Sequence, residues 1–193
     1  YRDWLVEKGL ASSSVKRVFS SVKAIVNLAI NELGVDSKNA FAGVYLASRG
    51  DAKKRKPLSN RSLIHLQKAC MEADDDLRWL IAMISDTGMR LAEAAGLHVD
   101  DIVLGDVSYV YVKPHKWRSL KTTSSERKIP LVGASLWAAQ RIKSMSNSYC
   151  FPRYVDGVKC NSNSASAALN KWLKTSTNQD VVIHGLRHTF RDR

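Results

Sequence analysis

Two short stretches decide how this chain folds and where its chemistry lies. They are Thr87-Gly88-Met89-Arg90-Leu91-Ala92-Glu93 and, much later, His184-Gly185-Leu186-Arg187-His188. Each places an arginine beside a predicted helix start, with a second ionisable group three residues away. An arginine stays charged at any working pH, and its planar guanidinium matches phosphate oxygens through paired hydrogen bonds. If the fold brings the two stretches together, we expect them to form a socket for one phosphate.

The residue types in this socket suit phosphoryl transfer. Arg90 and Arg187 would neutralise the negative charge that builds up on a phosphate during reaction. His184 can move a proton near neutral pH, and Glu93, one helical turn after Arg90, can hold that guanidinium in place. The alternative for each stretch alone is a solvated arginine–glutamate pair, or a histidine that lies near an arginine by chance.

The charge of the chain narrows the class of partner. Its 193 residues include 30 Lys+Arg against 18 Asp+Glu, a formal net charge of +12. This excess favours a polyanion, and nucleic acid is the first candidate. No single helix concentrates lysines opposite a broad aromatic face, and no apolar run approaches the length of a membrane span, so no membrane partner is expected. Three cysteines without C-x-x-C spacing indicate a reduced, cytoplasmic protein without a structural metal.

Residues 1–48 are predicted to form a small helical unit. Ser12 and Ser13 suit a helix N-cap, and apolar residues then recur every three or four positions along about five turns. These positions are Val15, Val18, Phe19, Val22, Ile25, Val26, Ala29 and Leu33. The opposite face carries Lys16, Arg17 and Lys23, which are either solvated or laid along a DNA backbone.

Residues 49–57 are predicted to be an interdomain linker. They have no apolar periodicity, and they contain four consecutive cations, Lys53, Lys54, Arg55 and Lys56, followed by a proline. The run is either a soluble connector or a strap that follows DNA phosphates.

Residues 58–193 are predicted to form a second domain, mainly α with a small antiparallel β-sheet. Ser59 suits a helix N-cap, and Gly88 interrupts a later helix. Residues 107–112, rich in valine and tyrosine, predict one strand, and a second strand from about Arg127 to Val132 completes a hairpin. Its connection carries the cations Lys113, His115, Lys116, Arg118 and Lys121. A lysine on such a mobile tip either stays solvated or enters a site once ligand is bound.

Three motifs in order carry a family resemblance. They are residues 87–93, then Leu120-Lys121-Thr122 with Ser125-Glu126-Arg127-Lys128-Ile129-Pro130-Leu131, then residues 184–190. Together they resemble the tyrosine recombinases, and phage-type integrases in particular. The resemblance implies that 1–48 is an N-terminally incomplete core-binding domain and that 58–193 is a C-terminally incomplete catalytic domain.

The resemblance also implies a role for each matching residue. Arg90 and Arg187 would clamp the scissile phosphate, His184 would contact it and assist proton transfer, and Lys121 would protonate the departing 5′ oxygen. Glu93 and His188 would support this cluster. Family members cleave double-stranded DNA through a tyrosine that forms a 3′-phosphotyrosyl link, without metal or nucleotide, and act as tetramers. DNA contacts are expected from Lys16, Arg17, Lys23, Lys53, Lys54, Arg55, Lys56, Lys116 and Arg118.

The tyrosines depart from the family pattern. All six precede Arg187, whereas the family's nucleophile follows that position. We therefore expect a fragment of a bacterial or phage-encoded, nucleoid-associated recombinase that does not cleave alone. Two alternatives remain: a module that binds an attachment site without catalysis, and a type IB topoisomerase. The segment around Asn39 also lacks an expected proline.

Overall fold

A computed structural model describes residues 1–51, 57–145, 147–177 and 181–193. The chain divides into two units, Tyr1–Lys54 and Arg55–Arg193, which are described separately below. The predicted DNA-binding cations Lys53, Lys54, Arg55 and Lys56 lie outside the described residues.

The first unit is built on two helices, α1 (Arg2–Glu7) and α2 (Ser12–Leu33). Its core consists of Leu5, Val15 and Phe19, against which Phe41 and Val44 pack. The predicted apolar stripe of α2 is therefore buried only along its first half. Ile25 is 68% exposed and Leu33 75% exposed, because nothing in the described part of this unit covers the second half.

The start of α2 differs from the prediction. Ala11 is the N-cap, and Ser12 is already the first helical residue. Ser12 donates to the Asp51 carboxylate through its main-chain N–H (2.8 Å) and its hydroxyl (3.1 Å), and Arg49 N donates to the same hydroxyl. Two residues predicted to belong to the linker thus bond to the helix start, and Asp51 supplies the acceptor that an N-cap side chain normally provides.

The second unit contains six α-helices in its described part. They are α3 (Asn60–Ala73), α4 (Asp76–Thr87), α5 (Leu91–Ala95), α6 (Gly133–Lys143), α7 (Ser162–Thr177) and α8 (Ile183–Arg191). Ser59 caps α3 as predicted, since its hydroxyl accepts from Ser62 N. Helix α4 is buried from Leu80 to Thr87 because α3, α6 and α8 pack around it. It forms the centre of the unit, and its C-terminal end leads directly into the site.

A three-stranded antiparallel sheet completes the second unit. Strands β1 (Ile102–Val103), β2 (Tyr109–Val112) and β3 (Arg127–Pro130) lie in the order β1-β2-β3. The predicted hairpin is confirmed: β2 pairs with β3, and Val110 faces Ile129. Strand β1 has only two residues, too few to show a periodic pattern. The chain is mainly α with a small antiparallel sheet, as predicted.

None of the helices in the described residues combines the length and the apolar character needed to cross a bilayer.

Candidate active site

A sharp turn at Gly88 sets the position of Arg90. Gly88 ends α4 in the left-handed conformation (φ +61°), and Arg90, in extended backbone, is the N-cap of α5. A Cβ at Gly88 would lie 2.4 Å from Cδ1 of Phe190, so α8 approaches this turn as closely as a glycine allows. Met89 between them is buried. The Arg90 side chain is thus held at a rigid junction of packed helices.

Glu93 binds Arg90 in two ways, as the predicted pairing requires. Its Oε2 accepts from the main-chain N–H of Arg90 at 2.9 Å, and its Oε1 accepts from Arg90 Nη1 at 2.6 Å. Glu93 is only 3% exposed, so this is not the solvated pair of the alternative interpretation. A buried carboxylate with charged partners fixes both the helix start and the guanidinium.

The pKa of Glu93 reports the balance of these effects. Burial by itself raises the pKa of this carboxyl. Hydrogen bonds from Arg127, from the Arg90 main chain and from the Arg90 side chain outweigh burial, and the net pKa lies below the ordinary 4.5. Glu93 is therefore ionised at neutral pH and cancels one positive charge in the cluster.

Arg187 brings the second stretch to the first. It lies on α8, and its Nη1 donates to the carbonyl oxygen of Gly88. Burial lowers the pKa of Arg187, and the nearby positive charges of Arg90 and Arg127 lower it further. Like charges are held together here at a cost, which is typical of a pocket built for an anion. The predicted meeting of the two arginines is present in the structure.

The two histidines of the second stretch also lie on α8. His184 and His188 are exposed, one turn apart, and their rings meet edge to face with centroids 5.1 Å apart. Arg187 follows His184 by three residues on the same helix, so the two side chains lie on neighbouring positions of one face. An exposed imidazole beside a half-buried guanidinium can reach a ligand held by that guanidinium.

Lys121 lies in the long connection between β2 and β3. It is exposed, and within the described residues it makes no hydrogen bond or ion pair. The next residue, Thr122, bonds through its hydroxyl to that of Ser125 (2.9 Å), and Ser125 Oγ accepts from Arg90 Nη1 (3.3 Å). The arginine pocket is thus connected to the segment that carries the exposed Lys121.

The prediction that Arg118 contacts DNA is wrong in this structure. Arg118 is 4% exposed, and its guanidinium donates to the main-chain carbonyls of Glu93 (2.8 Å) and Lys113. With Trp117, whose indole N–H donates to Gly96 O, it fastens the base of the hairpin connection to α5. Lys116 in contrast is exposed, as a phosphate contact requires.

The predicted DNA-binding cations of the first unit are also accessible. Lys16, Arg17 and Lys23 are all exposed on α2. Lys16 and Lys23 are seven residues apart, so they share one face of the helix.

Two site residues were missed from the sequence. Arg127, the first residue of β3, donates through Nη2 to Glu93 Oε2 at 2.9 Å, and Ser125 is a buried acceptor for Arg90. Both belong to the second quoted motif, so the only available signal was their presence there. No group of histidines, cysteines and carboxylates suited to a metal ion occurs in the described parts of the chain.

Solved structures with the same architecture include integrases bound to DNA. The Tn1549 transposon integrase in complex with circular intermediate DNA aligns with a TM-score of 0.68 and 20% identity, over 98% of this chain and 69% of that chain. A lambda integrase dimer on a COC′ core site aligns with a TM-score of 0.70 and 17% identity, over 98% and 53%. A lambda integrase tetramer on a Holliday junction gives 0.71 and 18%, over 99% and 56%. At such identities the shared property is the fold.

Fold and clustered arginines together define the class of protein: a tyrosine recombinase, which breaks and rejoins DNA. The sequence profile of the phage integrase family matches residues 58–193, most of the chain. The chain belongs to the phage integrase family, whose activity is site-specific DNA recombination. A search of curated proteins returned no match.

Proposed function

We propose that this chain supplies the phosphate pocket in which a DNA strand is cut and rejoined through a 3′-phosphotyrosyl intermediate. The observation that carries the proposal is the convergence of Arg90 and Arg187, which are far apart in the sequence, beside the buried carboxylate of Glu93. Groove binding alone requires no such convergence, because phosphate contacts along a duplex are spread over its length.

In the proposed mechanism, Arg90 and Arg187 bind the non-bridging oxygens of the scissile phosphate. They stabilise the charge that accumulates on those oxygens when a tyrosine hydroxyl attacks phosphorus and the 5′ oxygen departs. His184, on the same helix as Arg187, contacts the phosphate and assists proton transfer. Lys121 protonates the leaving oxygen after its loop has closed over DNA. The covalent link conserves the energy of the broken bond, so rejoining needs no nucleotide.

Double-stranded DNA is the proposed substrate. The net charge of +12 supports this, as do the exposed cations Lys16, Arg17, Lys23 and Lys116. Each phosphate that such a cation neutralises releases counterions, so affinity should fall steeply as salt rises. We further propose that four copies act together on paired sites, in the cytoplasm where such DNA resides. The lambda integrase tetramer on a Holliday junction supports the assembly.

The test is covalent capture on DNA. Full-length protein is incubated, without magnesium, with a nicked duplex that carries the attachment site, and protein–DNA adducts are resolved on a denaturing gel. We expect an adduct that is lost in Arg90→Ala and in Arg187→Ala. Arg191→Ala is the matched control, because Arg191 is an exposed arginine on the same helix and should leave the adduct unchanged.

Two outcomes would replace the proposal. Tight, salt-sensitive binding without any adduct would indicate a module that only occupies the site. Relaxation of supercoiled DNA that lacks the site, at the same rate as DNA that has it, would indicate a topoisomerase.

A further inference from the structure

Arg127 is bonded into the pocket although it lies on a different element from Arg90 and Arg187. It opens β3, opposite Val112 of β2. Its Nη2 donates to Glu93 Oε2 (2.9 Å) and its Nη1 donates to the carbonyl of Ser125 (2.6 Å). The side chain is 30% exposed, and both described bonds go to the protein. Arg127 therefore positions the Glu93 carboxylate and the Ser125 carbonyl.

Glu93 is consequently shared between two arginines. One carboxylate oxygen, Oε1, accepts from the guanidinium of Arg90, whereas Oε2 accepts from Arg127 and from the Arg90 main chain. Without Arg127, the second oxygen would be open to the guanidinium of Arg90, and the two would close into a fork-to-fork pair. Such a pair would use two of the five N–H donors of Arg90, one more than Glu93 uses now, and that donor would be lost to the phosphate oxygens.

The charges of the cluster lead to the same conclusion. The negative charge of Glu93 offsets one of the positive charges of Arg90, Arg127 and Arg187, which leaves a net positive charge of two. A phosphodiester has one negative charge, and its five-coordinate transition state has about one more on the non-bridging oxygens. Removing Arg127 would leave a single net positive charge, so the transition state would lose more stabilisation than the bound substrate does.

Arg127 also connects the pocket to the loop that carries Lys121. Its Nη1 holds the carbonyl of Ser125, and the hydroxyl of Ser125 bonds to both Arg90 and Thr122. The position of this part of the loop is therefore tied to the arginine cluster, one residue away from Lys121.

We propose that Arg127 is a positioning residue for strand cleavage, which acts by occupying and neutralising the Glu93 carboxylate so that Arg90 stays available to the scissile phosphate. The proposal rests on the function proposed above. It predicts a loss in the rate of the chemical step and little change in the affinity for DNA.

The experiment compares Arg127→Ala with Lys128→Ala in the full-length protein. Lys128 is the next residue of β3; it is exposed, and its ammonium lies 4.9 Å from the centroid of the Tyr109 ring. Each of the two variants removes one positive charge from the same strand. Adduct formation is measured in single turnover, and affinity is measured by titration. We expect Arg127→Ala to slow adduct formation roughly 10- to 100-fold, and Lys128→Ala to change it less than about 2-fold. Arg127→Lys should recover part of the rate.

A double variant separates this role from a merely structural one. Glu93→Gln combined with Arg127→Ala removes one negative and one positive charge, so the net charge of two returns while the amide still accepts from Arg90. We expect the double variant to cleave faster than Arg127→Ala alone. A structural role for Arg127 predicts the opposite, because two supports would then be lost.

Each result decides the matter. A rate for Arg127→Ala equal to that of Lys128→Ala, or a double variant no faster than Arg127→Ala, overturns the inference while wild-type cleavage leaves the proposed function intact. Absence of any wild-type adduct on the correct site overturns both.

Discussion

Gly88→Ala probes the junction between the two stretches that form the pocket. Alanine in the left-handed conformation found at Gly88 (φ +61°) costs about 1–2 kcal/mol. The new Cβ would also lie 2.4 Å from Cδ1 and 3.0 Å from Cγ of Phe190, closer than side chains tolerate. Displacing that ring adds about 1–3 kcal/mol, the usual cost of overpacking. Since Phe190 is 40% exposed, the ring can move outward, and the lower half of this range applies.

The expected loss in free energy of unfolding is therefore about 2–4 kcal/mol, or a fall in the melting temperature of roughly 10 °C for a unit of this size. Adduct formation should fall as well, because the Gly88 carbonyl that accepts from Arg187 shifts with the turn. Thermal melts followed by circular dichroism measure the first effect, and covalent capture on DNA measures the second.

The control places the same substitution in a Phe190→Ala background. There the ring contact is gone, and only the backbone strain of about 1–2 kcal/mol remains. An equal cost of Gly88→Ala in both backgrounds would refute the contact between α8 and the turn. A cost below about 1 kcal/mol in the wild-type background would refute the left-handed conformation as well.

Three further predictions follow from burial and charge. Arg118→Ala removes the donor to two main-chain carbonyls and should lower the free energy of unfolding, measured by urea titration, by about 2–4 kcal/mol. Lys116→Ala should leave stability unchanged and weaken only DNA binding, and equal stabilities of the two variants would contradict the buried position of Arg118. Because folding lowers the pKa of Glu93, its ionised form stabilises the protein at pH values above the ordinary pKa of 4.5, and this contribution is lost as pH falls through the lowered pKa. The difference in stability between wild type and Glu93→Gln should therefore shrink in acid. A difference that stays constant with pH would argue against the paired carboxylate. Burial raises the pKa of Cys70 to about 12 and raises the pKa of Cys150 too. A thiol reagent at pH near 8 should therefore label both cysteines only after unfolding, which mass spectrometry would show. Rapid labelling of the native protein would place these thiols at the surface.

The sequence by itself determined the features that depend on near neighbours. The spacing of Arg90 and Glu93 placed their side chains one turn apart, and the structure has that pair at 2.6 Å. The valines and tyrosines of 107–112 identified the first strand of the hairpin, and Ser59 identified a helix start. Local steric and hydrogen-bonding preferences act within a few residues, so a pattern in the chain is sufficient to predict their outcome.

Only the tertiary structure decided which part of a predicted apolar face is buried and which distant residues come into contact. Periodicity showed an apolar face along α2, but Ile25 and Leu33 remain exposed because burial depends on what packs against that face. Arg118 looked like other cations of its loop until the fold placed it against the Glu93 carbonyl. Arg127, on β3, reaches Glu93, on α5, although the two residues are far apart in the sequence. Such contacts join residues that are far apart in the chain, and the type of a side chain does not indicate which distant residue it will contact.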